Sequence, residues 1–226
     1  MIYLVGCNHD RHQRFFPAHG LRPGHEAFKA FIKGTVFKYN ISLIAEELSD
    51  PKEPDLENPN RIPRSSVALH LINELRAIRC IEHRYCEPCS RDKNRLGIGG
   101  GFPFIQEPCN RDFSSLIRNK REAHLHDIAH RWPIREKFWI ERLVDGLDRE
   151  VLFICGALHR CTFGSRLHAA GAETRVLDRF FEHEVGLCRS DICKEEFEAY
   201  REVRLHRFQT EDECPCISLP NRRQSL

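Results

Sequence analysis

Two histidines lie beyond apolar runs of the same pattern. In Ile2-Tyr3-Leu4-Val5-Gly6-Cys7-Asn8-His9 and in Val151-Leu152-Phe153-Ile154-Cys155-Gly156-Ala157-Leu158-His159, an apolar stretch meets a glycine and a histidine follows three residues later. With 13 histidines and 13 glycines in the chain, one Gly-x-x-His carries no weight. Two, each closing a run with the character of a buried strand, form a pattern. A third run, Ile41 to Glu47, ends in the adjacent carboxylates Glu46 and Glu47. Imidazole beside carboxylate is the material of general acid–base catalysis, or of a divalent-metal site. The residues alone leave those two chemistries open. Other chemistries lack support. There is no Gly-x-Ser-x-Gly elbow for a nucleophilic serine. The glycine cluster at 97–101 runs into Phe102-Pro103, not into the helix start of a phosphate-binding loop.

These groups can meet only if the strands deliver them to one place. Runs as apolar as Val151–Cys155 suit strands buried on both faces, which is the habit of parallel sheets covered by helices. Parallel strands end on the same side, where open α/β sheets bind their ligands. The chain therefore reads as an α/β domain with a central, largely parallel sheet flanked by helices and two related strand-GxxH halves. Gly156 would supply a positive φ or a close backbone approach, and His159 would sit partly exposed at the strand end, placed for reach. Because side chains alternate along a strand, only one of Glu46 and Glu47 can share a face with Leu43 and Ala45.

The intervening segments supply the helices. Residues 25–32 carry Phe28, Phe31 and Ile32 on one face. Ser65 or Ser66 would cap a helix whose Val67, Leu71, Leu75 and Ile78 repeat at helical spacing. From Phe113 to Leu147 the pattern is helical but interrupted at Pro133, which predicts two helices, the second starting near Trp132. This second helix turns Ile134, Phe138 and Leu143 inward, and the facing of Arg135, Glu136 and Arg142 stays open. Leu167 and Ala170 fit a helix stopped at Gly171, and residues 174–177 make a further strand. The loops at 10–24 and 50–64 would hold substrate specificity.

A chain of 226 residues can bury a full core in one domain, read here as residues 1–185. Residues 186–226 read as a Cys-containing extension, partly disordered. A net charge of +2 makes no case for nucleic acid or a membrane surface as partner. No signal peptide or transmembrane run is expected, so the 11 cysteines read as reduced thiols of a cytoplasmic protein, with Cys7 and Cys155 in the core. Cys86 and Cys89 form a Cys-x-x-Cys, but no second ligand pair has a good spacing for structural zinc. His126 and His130 stand four apart, a spacing that puts both on one helix face.

The order LVGCNH (4–9), LIAEEL (43–48), the WPIREKFWIERL helix (132–143) and VLFICGALHRCTF (151–163) resembles the superfamily that groups TraB/TIKI proteins with erythromycin-esterase-like and ChaN-like proteins. The resemblance implies two related α/β halves with both histidines and a glutamate in one pocket. That glutamate, which precedes a leucine, falls on Glu47 with Glu46 beside it. The family arginine falls on Arg135, with Arg131 as the alternative. The resemblance thus implies a hydrolase of an ester or peptide, with His9, Glu47, Arg135 and His159 as catalytic residues. Arg135 would stabilise an oxyanion or orient the carboxylate. In the metal-dependent branch, His9, Glu46, Glu47 and His159 would hold Mn, Co or Zn. Other members bind haem or have no known activity, so a non-catalytic metal- or haem-binding protein is the alternative expectation.

Overall fold

The computed structural model describes residues 1–53, 64–99, 126–157, 159–178 and 181. The strands are β1 (Ile2–Cys7), β2 (Arg14–Phe15), β3 (Leu43–Glu46), β4 (Ser65–Ser66), β5 (Glu82–Tyr85), β6 (Val151–Gly156) and β7 (Thr174–Asp178). Five form one sheet in the order β5-β3-β6-β1-β7. Its pairings are all parallel, with Val5 opposite Ile154 and Ala45 opposite Phe153. The expected α/β architecture is therefore present. β2 and β4 make a small antiparallel pair beside it.

Strand alternation sorts the core into two layers. Tyr3, Val5, Cys7, Ile44, Leu152 and Ile154 face the helices Pro23–Lys38 and Val67–Leu75, against Phe28, Ile32, Val36 and Leu71. Ile2, Leu4, Leu43, Ala45, Val151, Phe153 and Cys155 face the helices Trp132–Leu143 and His159–Ala169, against Phe138, Trp139, Phe163 and Leu167. Burying each large apolar side chain stabilises the fold by roughly 1.5–3 kcal/mol. Truncating Phe153, packed between Trp139 and Phe163, would cost roughly 3–5 kcal/mol.

Several elements differ from expectation, each for a local reason. The first helix begins at Pro23, because proline at the first helical position loses no bond and the His25 imidazole caps the Arg22 N–H at 3.0 Å. The second is capped by Ser66, as expected, but stops at Leu75 and leaves Ile78 exposed. As expected, a helix starts at Trp132 with Pro133 in its first turn. A π-turn over Asp127–Arg131 runs directly into Trp132–Leu143, bonding the Trp132 N–H to the Asp127 carbonyl five residues back. Residues 113–125 of that segment, and the tail from 182 onward, lie outside the described residues. The last helix gives way at Gly171, whose φ of 81° is the left-handed stop expected there. Among the described residues no helix is long and apolar enough to cross a membrane.

Candidate active site

The carboxyl ends of β1, β3, β5 and β6 each release a side chain into one cluster. His9 follows β1 by two residues, Glu47 follows β3 directly, Glu87 follows β5 by two, and His159 follows β6 by three. Glu47 is the centre. Its Oε1 accepts from Arg135 Nη2 at 2.6 Å, and its Oε2 accepts from the Gly156 N–H at 2.7 Å. The His9 and His159 Nε2 atoms each lie 3.5 Å from a Glu47 oxygen. His9, Glu47, Arg135 and His159 are thus brought together.

Arg135 is shared by two carboxylates. Its Nε and Nη2 also donate to Glu87 Oε2 at 3.1 and 2.9 Å, while Lys93 meets the other Glu87 oxygen at 3.0 Å. Arg135 therefore pairs with both carboxylates at once. Arg131 pairs with Asp127 at 3.7 Å.

The two histidines differ in their settings. His159 is buried, contrary to the partly exposed position expected of a strand-end residue. Its ring lies between Trp132, at 3.8 Å between centroids, and Trp139, at 4.9 Å. Its Nδ1 lies 3.0 Å from the fully buried Glu136, which also accepts from Thr162 Oγ1 and, at 2.8 Å, from Arg166 Nε. Its Nε2 lies 3.4 Å from Arg135 Nη1. His9 retains 25% side-chain exposure, and its Nδ1 contacts Gln13 Oε1 at 2.5 Å.

Charge coupling moves the ionisable groups apart. Burial works against the Glu47 carboxylate, but His159, His9 and Arg135 together hold it well below the usual range. Burial likewise pulls His9 down, yet the Glu47 charge and the bonds to Glu47 and Gln13 leave it raised. The site thus combines a permanent carboxylate with an accessible imidazole that is readily protonated.

Gly156 takes no positive φ. It serves by close approach, since a Cβ there would lie 2.9 Å from His9 Nε2 and 3.4 Å from Glu47 Oε2. Glu46 does not join the cluster. Alternation turns it to the opposite face, where it is fully buried and bonded to Gln13 Nε2 at 2.9 Å, His83 Nε2 at 2.6 Å and the Ser66 hydroxyl.

The donor set suits a divalent metal poorly. Both Glu47 oxygens are occupied, Glu46 points away, and a guanidinium stands beside His159 Nε2 where a bound cation would meet like charge. Among the described residues no group of three or more His, Cys, Asp or Glu side chains is arranged to hold a metal ion. His126 and His130 do share a face, with ring centroids 4.5 Å apart. Cys86 is buried, its thiol pushed up to about 12 mainly by desolvation, and Cys89 donates to Asp92 at 3.5 Å.

Sequence reasoning missed Gln13, Glu87, Glu136 and the two tryptophans. Glu136 stood next to Arg135, but a helical charge gives no facing without its packing partners. Glu87 lies inside the Cys-x-x-Cys, where the cysteines dominate the pattern. No family model, curated protein or solved structure matches the chain.

Proposed function

We propose that the chain is a hydrolase of a small-molecule ester or a peptide, working by general-base catalysis without a metal. The observation that carries this reading is Glu47, clamped by Arg135 between two imidazoles of unlike environment. His9 is the accessible ring, and Glu47 lies where it stabilises the imidazolium that forms. In the reaction, His9 Nε2 takes a proton from water as the water oxygen bonds to the substrate carbonyl carbon. The carbonyl π electrons move to its oxygen. When they return, the C–O or C–N bond breaks and the leaving group receives the proton from His9. His159, locked by Glu136 and the tryptophans, orients Arg135 and closes the inner wall. The free thiols of Cys7, Cys86 and Cys155 support a reducing compartment, the cytoplasm.

The test is a panel of esters and peptides incubated with chelator-treated wild type, His9→Ala and Glu47→Gln. Hydrolysis should survive chelation and fall on the order of 100- to 10,000-fold in His9→Ala, as loss of one positioned base implies. Turnover that requires added Mn, Co or Zn would replace this mechanism with a metal-dependent one. Turnover unaffected by His9→Ala would end the assignment.

A further inference from the structure

We propose that Gln13, oriented by the buried carboxylate of Glu46, is a positioning residue that selects the ring tautomer of His9. The inference rests on the proposed reading only in taking His9 as the base; the tautomer itself depends on no substrate.

Gln13 is fully buried and lies four residues after His9 in the same π-turn, His9–Gln13. Its side chain spans two groups, with Oε1 2.5 Å from His9 Nδ1 and Nε2 2.9 Å from Glu46 Oε2. A carboxamide has one accepting end and one donating end. Glu46 decides which end faces which neighbour, because an ionised carboxylate only accepts. Its other oxygen already receives the Ser66 hydroxyl and His83 Nε2. Reversing the amide would press a carbonyl oxygen against a carboxylate oxygen with no proton between them. Away from water that arrangement is strongly unfavourable. The NH2 group therefore faces Glu46 and the carbonyl faces His9, so Nδ1 must carry the hydrogen.

The consequence falls on the other ring nitrogen. In neutral His9, Nε2 keeps its lone pair, and it is Nε2 that lies 3.5 Å from Glu47 Oε2. A proton arriving there forms an ion pair with Glu47. Glu46 and Glu47 thus act on one imidazole from opposite faces of the sheet, one setting the tautomer through an amide and the other stabilising the charged form. The contrast with His159 supports this division. There a carboxylate, Glu136, contacts Nδ1 directly and adds charge, whereas Gln13 orients His9 without adding any.

Ring 15N NMR on histidine-labelled full chain, above the pH at which His9 titrates and assigned by signal loss in His9→Ala, tests the proposal. In wild type, Nδ1 should resonate as a protonated nitrogen and Nε2 as an unprotonated one. Gln13→Leu should move the ratio toward Nε2–H on the order of tenfold, the size of effect expected from one buried hydrogen bond. Glu46→Gln, which lets the amide turn either way, should give a mixture. A wild-type His9 protonated on Nε2 would overturn the proposal, and that measurement decides even where Gln13→Leu does not fold. An unchanged ratio in folded Gln13→Leu would also overturn it. Nδ1–H tautomer in a protein that hydrolyses nothing on the panel would uphold this inference while counting against the hydrolase reading.

Discussion

Arg135 and Glu47 meet at 2.6 Å across the mouth of the sheet, though 88 positions separate them in the chain. The pair joins the end of β3 to the first turn of the Trp132–Leu143 helix, and Glu87 ties the end of β5 to the same guanidinium. With Lys93 on Glu87, two carboxylates meet two cations, and such a cluster is stable only while the charges match. Arrangement of the clustered side chains and stability of the sheet's end are therefore coupled through one cation.

Glu47→Gln tests that coupling. The amide still accepts from Gly156 but leaves Arg135 with Glu87 as its remaining ion-pair partner among the described residues. We expect a loss of about 3 kcal/mol, toward the lower end of the range for breaking a buried pair, measured by denaturant unfolding. A variant as stable as wild type would show that Glu87 alone satisfies the guanidinium.

The pH dependence follows from the two opposed shifts. His9, raised, contributes stability that is complete below its unfolded value, about 6.5, and is lost as pH rises through its folded value. Glu47, lowered, contributes stability present above its unfolded value of 4.5 and lost as pH falls through its folded value. NMR titration of His9 should give a midpoint above that of an ordinary histidine, and Glu47→Gln should bring it down. On the proposed reading, hydrolysis by neutral His9 should accordingly rise with pH through that midpoint. A His9 midpoint indifferent to Glu47→Gln would refute the coupling.

His159→Ala should destabilise by roughly 2–4 kcal/mol, because it opens a cavity between Trp132 and Trp139 and removes a partner of buried Glu136. A stability change within about 0.5 kcal/mol, as for a surface residue, would contradict the buried setting described for this ring.

Gly156→Ala should displace His9, since the added carbon would stand 2.9 Å from its Nε2. The expected result is a cost of about 1–3 kcal/mol in stability together with a changed His9 titration. An unaltered His9 resonance would show that the backbone shifts instead.

Thiol labelling should separate the cysteines by depth. Exposed Cys80 should react in the folded protein, whereas Cys7, Cys86 and Cys155, all raised by burial, should react only on unfolding, read by peptide mass mapping.

The strands of the sheet's centre could be read from local pattern alone. Ile2–Val5, Leu43–Ala45 and Val151–Cys155 are apolar on both alternating sets, a property that burial between two helical layers requires and that no neighbour need supply. Parallel strands end on one side, so convergence of His9 and His159 with the strand-end carboxylate pair was also legible, as was the helix stop at Gly171. β5 was not. Glu82-His83-Arg84-Tyr85 lacks an apolar alternation because it is an edge strand, held by pairing with β3. The fate of the two adjacent glutamates was half legible. Alternation dictates that they part, but which one meets the histidines depends on which helical layer covers each face. Only the folded chain decides that. Glu47 faces the layer of the Trp132–Leu143 helix and so meets Arg135 and His159, while Glu46 faces the opposite layer and meets Gln13, Ser66 and His83. The depth of His159 and the roles of Gln13, Glu87 and Glu136 likewise arise from partners far away in sequence, and spacing carries no record of those.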